Sequence, residues 1–254
     1  MNVKSRFTKN NTLAMKGIAI SFLLFYHCFS KKSRMGGMYV DFAPLSREVA
    51  MMISRCMVQC VGLFAFLSVY GLTRSVKKKY QSYEFSGREG TMFVLERIRD
   101  FMIVRNKWMN KILKFAIETI VMCALFMFWY SKWGRNHFEF VLNGLIPVAV
   151  ICWSYEFLIN LPVIREILQF MGKHSANVFY IHSFIRAKWI GNFVYSFGHA
   201  FLIWFVLMAS SIVISIFLEG IKKAVRFERL SGKITDRILG WADKMLWCVS
   251  RNDV

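Results

Sequence analysis

Two titratable side chains, Lys16 and His27, lie in one apolar stretch of the sequence, Asn11–Ser30. In an α-helix, eleven residues make about three turns, so both side chains project from one face, roughly 16 Å apart along the axis. Exposing a charged group to lipid costs about 2.5–3.5 kcal/mol, so such groups usually face protein or water. Histidine can accept a proton near neutral pH and lysine can hold an anion. We therefore predict either that this face forms the wall of a polar passage or that the two side chains snorkel to the lipid headgroups.

A third candidate, Arg55, lies in the next apolar stretch, Val49–Leu72, with Gln59 one helical turn away on the same face. Arginine stays protonated, so within a membrane it needs a partner or water. Glu118 and Glu156, in later apolar stretches, are the candidate counter-ions. Arg55 is predicted either to neutralise charge in a reaction or to form an ion pair that fixes helix packing.

Helices must position these side chains, and the sequence has six apolar stretches long enough to do so. Each is near the ~20 residues that a helix needs to cross about 30 Å of hydrocarbon. The chain is 56% hydrophobic, and these residues come in continuous blocks rather than at the spacing of a soluble core. The prediction is an all-α fold, a polytopic transmembrane helix bundle with about six spans. The stretches are Asn11–Ser30, Val49–Leu72, Ile112–Tyr130, Phe138–Leu161, Ala176–Phe197 and His199–Leu218.

The net charge of +19 is explained by membrane topology rather than by nucleic-acid binding. Most Lys and Arg residues lie between the apolar stretches, on the side that is cytoplasmic if the N-terminus is cytoplasmic, which follows the positive-inside rule. Both termini are therefore predicted to be cytoplasmic. No nucleic-acid-binding signature accompanies the charge, so no nucleic-acid partner is expected.

Two domains are predicted, and the first span is expected to stay in the protein rather than to be removed as a signal peptide. Residues 1–220 form the transmembrane domain, in which residues 73–111 make a cytoplasmic, basic and amphipathic segment. Residues 221–254 form a basic amphipathic tail on the inner leaflet. No signal-peptide cleavage site follows the first stretch. The six cysteines contain no C-x-x-C pair, so no metal site is predicted.

Four segments, taken in order, resemble one protein family. They are "MKGIAISFLLFYH", "FAFLSVYGLTRS", "LERIRDF" and "LQFMGKHSANVFYIHSFI". Together they are similar to the acyltransferase 3 family, the bacterial integral-membrane O-acyltransferases that acylate cell-surface glycans. The similarity covers roughly the first hundred residues and the stretch from about Ile164 to Glu219.

The family motifs match individual residues of this chain. Lys16 and His27 correspond to a basic residue, usually arginine, and an outer-side histidine in the first span. Ser68 corresponds to the serine of a serine-glycine turn, although Val69 stands where glycine is typical. The remaining matches are the basic pair Arg97 and Arg99 and the late element Gly172, Lys173, Ser175, Tyr180 and His182.

The resemblance implies transfer of an acyl group, acetyl being the expected one, from cytoplasmic acyl-coenzyme A to a hydroxyl of a cell-surface glycan or lipid-linked sugar. It implies a multi-pass protein of the bacterial cell membrane with acyl-coenzyme A as a donor substrate and no bound cofactor. His27 is the expected general base, and Arg55 would neutralise charge near the transfer point. The expected substrate-binding residues are Lys16, Arg97 and Arg99 for the donor phosphates, Ser68 at the turn, and His182. From the residues alone, the favoured interpretation of Ser68 is a polar residue that ends a helix, and that of His182 is a core histidine bonded to a neighbouring carbonyl.

Two alternatives remain open because family members are usually longer and have more spans. The chain could be a shortened noncatalytic relative that acts as a membrane scaffold. It could also be a small transporter in which Lys16, Arg55 and His27 line a permeation path. The transporter alternative lacks repeated halves with broken helices. The oligomeric state, the acyl group and the sugar do not follow from the sequence.

Overall fold

The computed structural model describes residues 7–35, 37–79, 111–227, 231 and 237. Over these residues the chain is helical and contains no strand. Arg97, Arg99 and most of the two predicted amphipathic segments lie outside the described residues. The described α-helices, numbered in chain order, are α1 Lys9–Phe29, α2 Arg47–Cys56, α3 Cys60–Lys79, α4 Lys111–Tyr130, α5 Lys132–Trp153, α6 Pro162–Phe184, α7 Gly191–Tyr195 and α8 Ala200–Ala224.

Local sequence signals set the starts of several helices. Thr8 before α1, Ser46 before α2 and Ser131 before α5 each accept a hydrogen bond from a backbone N–H in the first turn. Such caps satisfy N–H groups that have no partner within the helix. Pro162 begins α6, where its missing N–H costs nothing.

Five helical segments are long and apolar enough to cross a membrane, judged by length and composition over the described residues. They coincide with five of the six predicted stretches: Lys9–Phe29, Arg47–Thr73, Lys111–Tyr130, Lys132–Leu158 and Ala200–Ala224. The second of these contains α2, a short 3₁₀ turn and most of α3.

The remaining predicted stretch, Ala176–Phe197, is not one continuous helix. It contains the end of α6, the π turn Ile185–Trp189 and the short helix α7. Gly191 follows the π turn, and Ile190 leaves helical geometry there. The count of six spans and the cytoplasmic location of both termini stay predictions.

Helix α1 is the central helix of the part of the bundle that the structure describes. It packs against α2, α3 and α6. Most of its apolar side chains are buried, including Ile20 and Leu24, which have no exposed surface. The indole N–H of Trp204 in α8 donates to the carbonyl of Ser21, 3.2 Å away. A helix covered on several sides buries apolar side chains over most of its surface, as this one does apart from the half-buried Lys16 and His27.

Helices α1 and α6 approach closely at two glycines. A Cβ atom at Gly17 would collide with the backbone of Leu168, and one at Gly172 would collide with the carbonyl of Leu13. Small residues at such a crossing let two membrane helices pack backbone to backbone. Leu13 lies beside Gly172, and further along α1 His27 contacts a ring near the end of α6, so the two helices run in the same direction.

Residues of the segment between α1 and α2 form hydrogen bonds with the connection between α7 and α8. The N–H of Asp41 donates to the carbonyl of Gly198, 2.7 Å away, and the N–H of Ala200 donates to the carbonyl of Asp41, 2.8 Å away. A ring nitrogen of His199 lies 3.1 Å from the carbonyl of Ala43. These bonds hold residues 41–43 against the connection between α7 and α8.

The chain divides into two compact units, Met1–Ser211 and Ile212–Val254. The described part of the second unit continues α8 to Ala224 and includes an exposed ion pair between Lys222 and Glu219, 3.0 Å apart. All the residues of the candidate site belong to the first unit.

Candidate functional site

Two histidines from separate helices are in ring contact. The ring centroids of His27 in α1 and His182 in α6 are 4.8 Å apart, with an angle of 55° between the ring planes. His182 is buried and His27 is half-buried. The fold thus brings together two predicted site residues that are distant in the sequence.

Two arginines lie beside this pair, and the sequence analysis predicted neither as a site residue. Arg34 donates from Nη1 to Nδ1 of His27 (3.3 Å) and to the carbonyl of Tyr26 (3.0 Å). Its guanidinium also lies 4.8 Å from the centre of the Tyr26 ring. Nη1 of Arg186, in the π turn after α6, donates to the carbonyl of Arg34 at 3.4 Å. We call His27, His182, Arg34 and Arg186 the histidine–arginine cluster.

The hydrogen bonds around His182 define which of its nitrogens is basic. Nδ1 lies 3.0 Å from the carbonyl of Val178, one helical turn earlier. A carbonyl can only accept, so Nδ1 carries a proton. In the neutral ring the lone pair is therefore on Nε2, which lies 3.1 Å from the hydroxyl of Ser183. The Val178 carbonyl thus orients a ring whose basic nitrogen faces a hydroxyl, as a general base requires.

His27 has the opposite arrangement. Its Nδ1 faces the guanidinium of Arg34, 3.3 Å away. Because a guanidinium can only donate, this nitrogen is the acceptor, and the proton of the neutral ring is on Nε2. The basic nitrogen of His27 is thus covered by Arg34, and the ring offers a donor on its other side.

Arg55 lies apart from the predicted counter-ions. Its Nε donates to the carbonyl of Ser30 (3.2 Å) and its Nη1 to the hydroxyl of Tyr130 (3.2 Å). The predicted pairing with Glu118 or Glu156 is wrong, because both carboxylates lie beside Lys114 near the start of α4, whereas Tyr130 is the last residue of that helix. The observed role of Arg55 is to join the end of α1 to the end of α4.

The other predicted site residues do not join the cluster. Lys16 is half-buried on α1, and it makes no hydrogen bond or ion pair with any residue that the structure describes. Ser68 is exposed in the middle of α3, so the predicted turn at this position is wrong. The helix continues to Lys79 because no proline interrupts it and Gly71 alone does not end it. Arg97 and Arg99 lie outside the described residues.

The buried ion pair of Lys114 with Glu156 contains the most deeply buried charge in the described chain. The Lys114 side chain is 1% exposed and that of Glu156 16%, and Glu118 lies 4.0 Å from the same ammonium. Without Glu156, only Glu118 remains to compensate the buried ammonium, at the longer distance of 4.0 Å. We therefore expect Glu156→Gln to lower the free energy of unfolding by up to about 3 kcal/mol.

Thermal unfolding of the purified protein in nanodiscs measures this effect. The control is Glu219→Gln, which breaks the exposed pair with Lys222, where both side chains are about 40% exposed. That change should cost about 0–1 kcal/mol. Equal destabilisation by the two variants would contradict the structural role of the buried pair.

The described residues contain no group of three or more His, Cys, Asp or Glu side chains placed to hold a metal ion.

An all-helical chain with several membrane-length apolar helices and a polar cluster between two of its helices has the features of a multi-pass helical membrane protein. Comparisons of the chain with protein-family models, with curated proteins and with solved structures found no match.

Proposed function

We propose that this protein is a membrane O-acyltransferase of the bacterial cell membrane, a shortened relative of the acyltransferase 3 family. It would transfer an acyl group, acetyl in the simplest case, from cytoplasmic acyl-coenzyme A to a hydroxyl of a cell-surface glycan or lipid-linked sugar. The observation that carries the proposal is the contact between His27 and His182. These histidines come from two separate motifs of the family resemblance, and their rings are 4.8 Å apart.

The hydrogen bonds of the two rings favour different roles for them, His182 as the general base and His27 as a hydrogen-bond donor. The Nε2 atom of His182 accepts the proton of the acceptor hydroxyl, whose oxygen then attacks the thioester carbonyl. The Ser183 hydroxyl lies 3.1 Å from Nε2 and occupies this lone pair, so in this proposal the acceptor hydroxyl displaces it when the substrate binds. The bond between the carbonyl carbon and sulfur breaks, and coenzyme A leaves as a thiolate that takes up a proton.

His27 acts in this proposal as a donor rather than as the general base expected from the sequence. With Nδ1 held by Arg34, its Nε2–H can donate to the developing oxyanion. Arg34 and Arg186 add positive charge on the same side of the bundle. Arg55 would then support the end of α1 structurally, through its bond to the carbonyl of Ser30.

The donor would be held on the cytoplasmic side by Lys16, Arg97 and Arg99. A polyphosphate requires fixed positive charges, and these residues supply them under the predicted topology. The resemblance, not the described geometry, supports the roles of Arg97 and Arg99.

The parallel course of α1 and α6 supports six crossings with both termini on one side. A chain that crosses alternately through α1, α2–α3, α4 and α5 returns in the direction of α1 at its fifth crossing. Helix α6 has 23 residues and the required direction. The segment from α6 to α7 is therefore proposed as the fifth crossing, although Lys173 and Arg165 lower its hydropathy.

Mass analysis of surface glycans from cells with and without this protein tests the proposal. We expect an ester-linked acyl mass to disappear with the protein and to return with the wild-type chain. Purified protein should also consume acyl-coenzyme A only when an acceptor is present. Acyl-coenzyme A binding without transfer would favour a scaffold, and solute flux in liposomes would favour a transporter.

A further inference from the structure

We propose that the histidine–arginine cluster binds an anion with several oxygen atoms, a phosphate or carboxylate group. The inference goes beyond acyl transfer, because it follows from the charges and hydrogen bonds of the cluster alone. It would hold equally if the protein were a scaffold or a transporter.

The first support is uncompensated charge. Arg34 and Arg186 are permanently protonated, and the Arg186 guanidinium donates a hydrogen bond to the backbone carbonyl of Arg34. Among the residues that the structure describes, no carboxylate lies within 4.0 Å of either guanidinium. Two neighbouring cations that lack an acidic partner make a half-buried region attractive to an anion.

The second support is a buried donor that has no acceptor. Nε of Arg186 is buried and has no hydrogen-bond partner among the described residues. Buried polar groups are nearly always paired, and leaving a charged one unpaired is costly. An oxygen of a bound anion would supply the missing acceptor.

The third support is the arrangement of the other donors. Arg34 uses only Nη1 in its described hydrogen bonds, so the other N–H groups of its fork remain for an anion; Arg186 bonds the Arg34 carbonyl through Nη1 and also bonds the side chain of Tyr195. In the neutral ring of His27, Nε2–H is a further donor because Nδ1 accepts from Arg34. Arg34, Arg186 and His27 are all half-buried, so an anion can reach them from solution while being partly shielded from it.

The test measures the thermal unfolding midpoint of the full-length protein in phosphatidylcholine nanodiscs during titration with inorganic phosphate. Chloride at equal ionic strength is the reference. We expect a saturable rise with phosphate, because a ligand that binds only the folded state stabilises it. A parallel titration with acetate measures carboxylate binding, and nanodiscs containing phosphatidylglycerol test whether a lipid headgroup is the source of the phosphate group.

Arg186→Gln should weaken the apparent affinity by at least about tenfold, since a charge-assisted hydrogen bond is lost. The control is Lys188→Gln, which removes one positive charge from an exposed side chain of the same π turn and should leave the affinity unchanged. Arg34→Lys provides a second variant that keeps the charge but loses the planar fork, and it should also bind more weakly.

A midpoint that does not respond to phosphate, acetate or phosphatidylglycerol would overturn the proposal. Equal affinity losses in Arg186→Gln and Lys188→Gln would do the same, since they would show a general effect of surface charge. Saturation by phosphatidylglycerol that competes with inorganic phosphate would identify a lipid headgroup as the ligand. Because no acyl transfer is measured, failure here leaves the proposed enzymatic function standing, and the converse also holds.

Discussion

His182→Gln is expected to reduce acyl transfer by about 10²–10⁴-fold, the usual contribution of a general base. The structure gives His182 the one basic ring nitrogen of the histidine pair that faces a hydroxyl. Glutamine has a similar length and remains polar, but it cannot accept the proton. The measurement is the rate of acyl-coenzyme A consumption by purified protein with an acceptor glycan, followed across pH. The variant should lose the decline in rate at low pH that protonation of the base causes.

The matched control for this substitution is His137→Gln. His137 is an exposed histidine in α5, and its ring nitrogen contacts the carbonyl of Trp133 within the same helix. Its replacement should leave transfer unchanged.

His27→Gln should lower the rate by about 10²–10³-fold if His27 is a donor to the oxyanion, with the pH profile retained. Full activity in His182→Gln together with loss of the low-pH decline in His27→Gln would reverse the two assignments.

Gly172→Ala is expected to lower the free energy of unfolding by about 1–3 kcal/mol, the cost of overpacking a tight contact. The new Cβ would collide with the carbonyl of Leu13, which is backbone and cannot move aside as a flexible side chain could. Helix α6 must therefore shift away from α1. Since His182 lies further along α6, the same change should also reduce acyl transfer, and thermal unfolding in nanodiscs measures its effect on stability.

The control is Gly144→Ala in α5, where a Cβ atom meets nothing within 4 Å. Here the change should stabilise the protein by about 0.5–1 kcal/mol, because alanine favours a helix over glycine. The two variants thus make the same chemical change and are expected to have opposite signs. A Gly172→Ala protein as stable as Gly144→Ala would show that the two helices do not rely on this close approach.

The helices could be predicted from the sequence because length and hydropathy are local properties. The stretch Ile112–Tyr130 differs from α4 by a single residue at its start. The predicted helix boundaries were wrong where the backbone departs from regular helical geometry without a clear sequence signal, as at the π turn after Phe184. The expected turn at Ser68 failed for a related reason, since a polar residue followed by valine does not interrupt a helix.

The site was less accessible to sequence reasoning because its contacts join distant segments. Spacing on α1 placed Lys16 and His27 on one face, but it could not indicate that α6 packs beside that face. The link to His182 came only from the family resemblance. Arg34 was missed because it lies in a connection between two apolar stretches and nothing in the sequence places that connection beside His27, whereas Arg186 had a usable signal, a charge within an apolar stretch.

The bonds of Asp41 to Gly198 and Ala200 determine how costly ligand capture is at the cluster. Together with the bond from Arg186 to the Arg34 carbonyl, they join the connection after α1 to the residues between α6 and α8. The Arg34 guanidinium is itself held by its bonds to the carbonyl of Tyr26 and to Nδ1 of His27, so we expect little conformational entropy to be lost if an anion binds there. Selectivity at the histidine–arginine cluster would then depend on how well a ligand fits the existing positions of its side chains rather than on how far those side chains can rearrange.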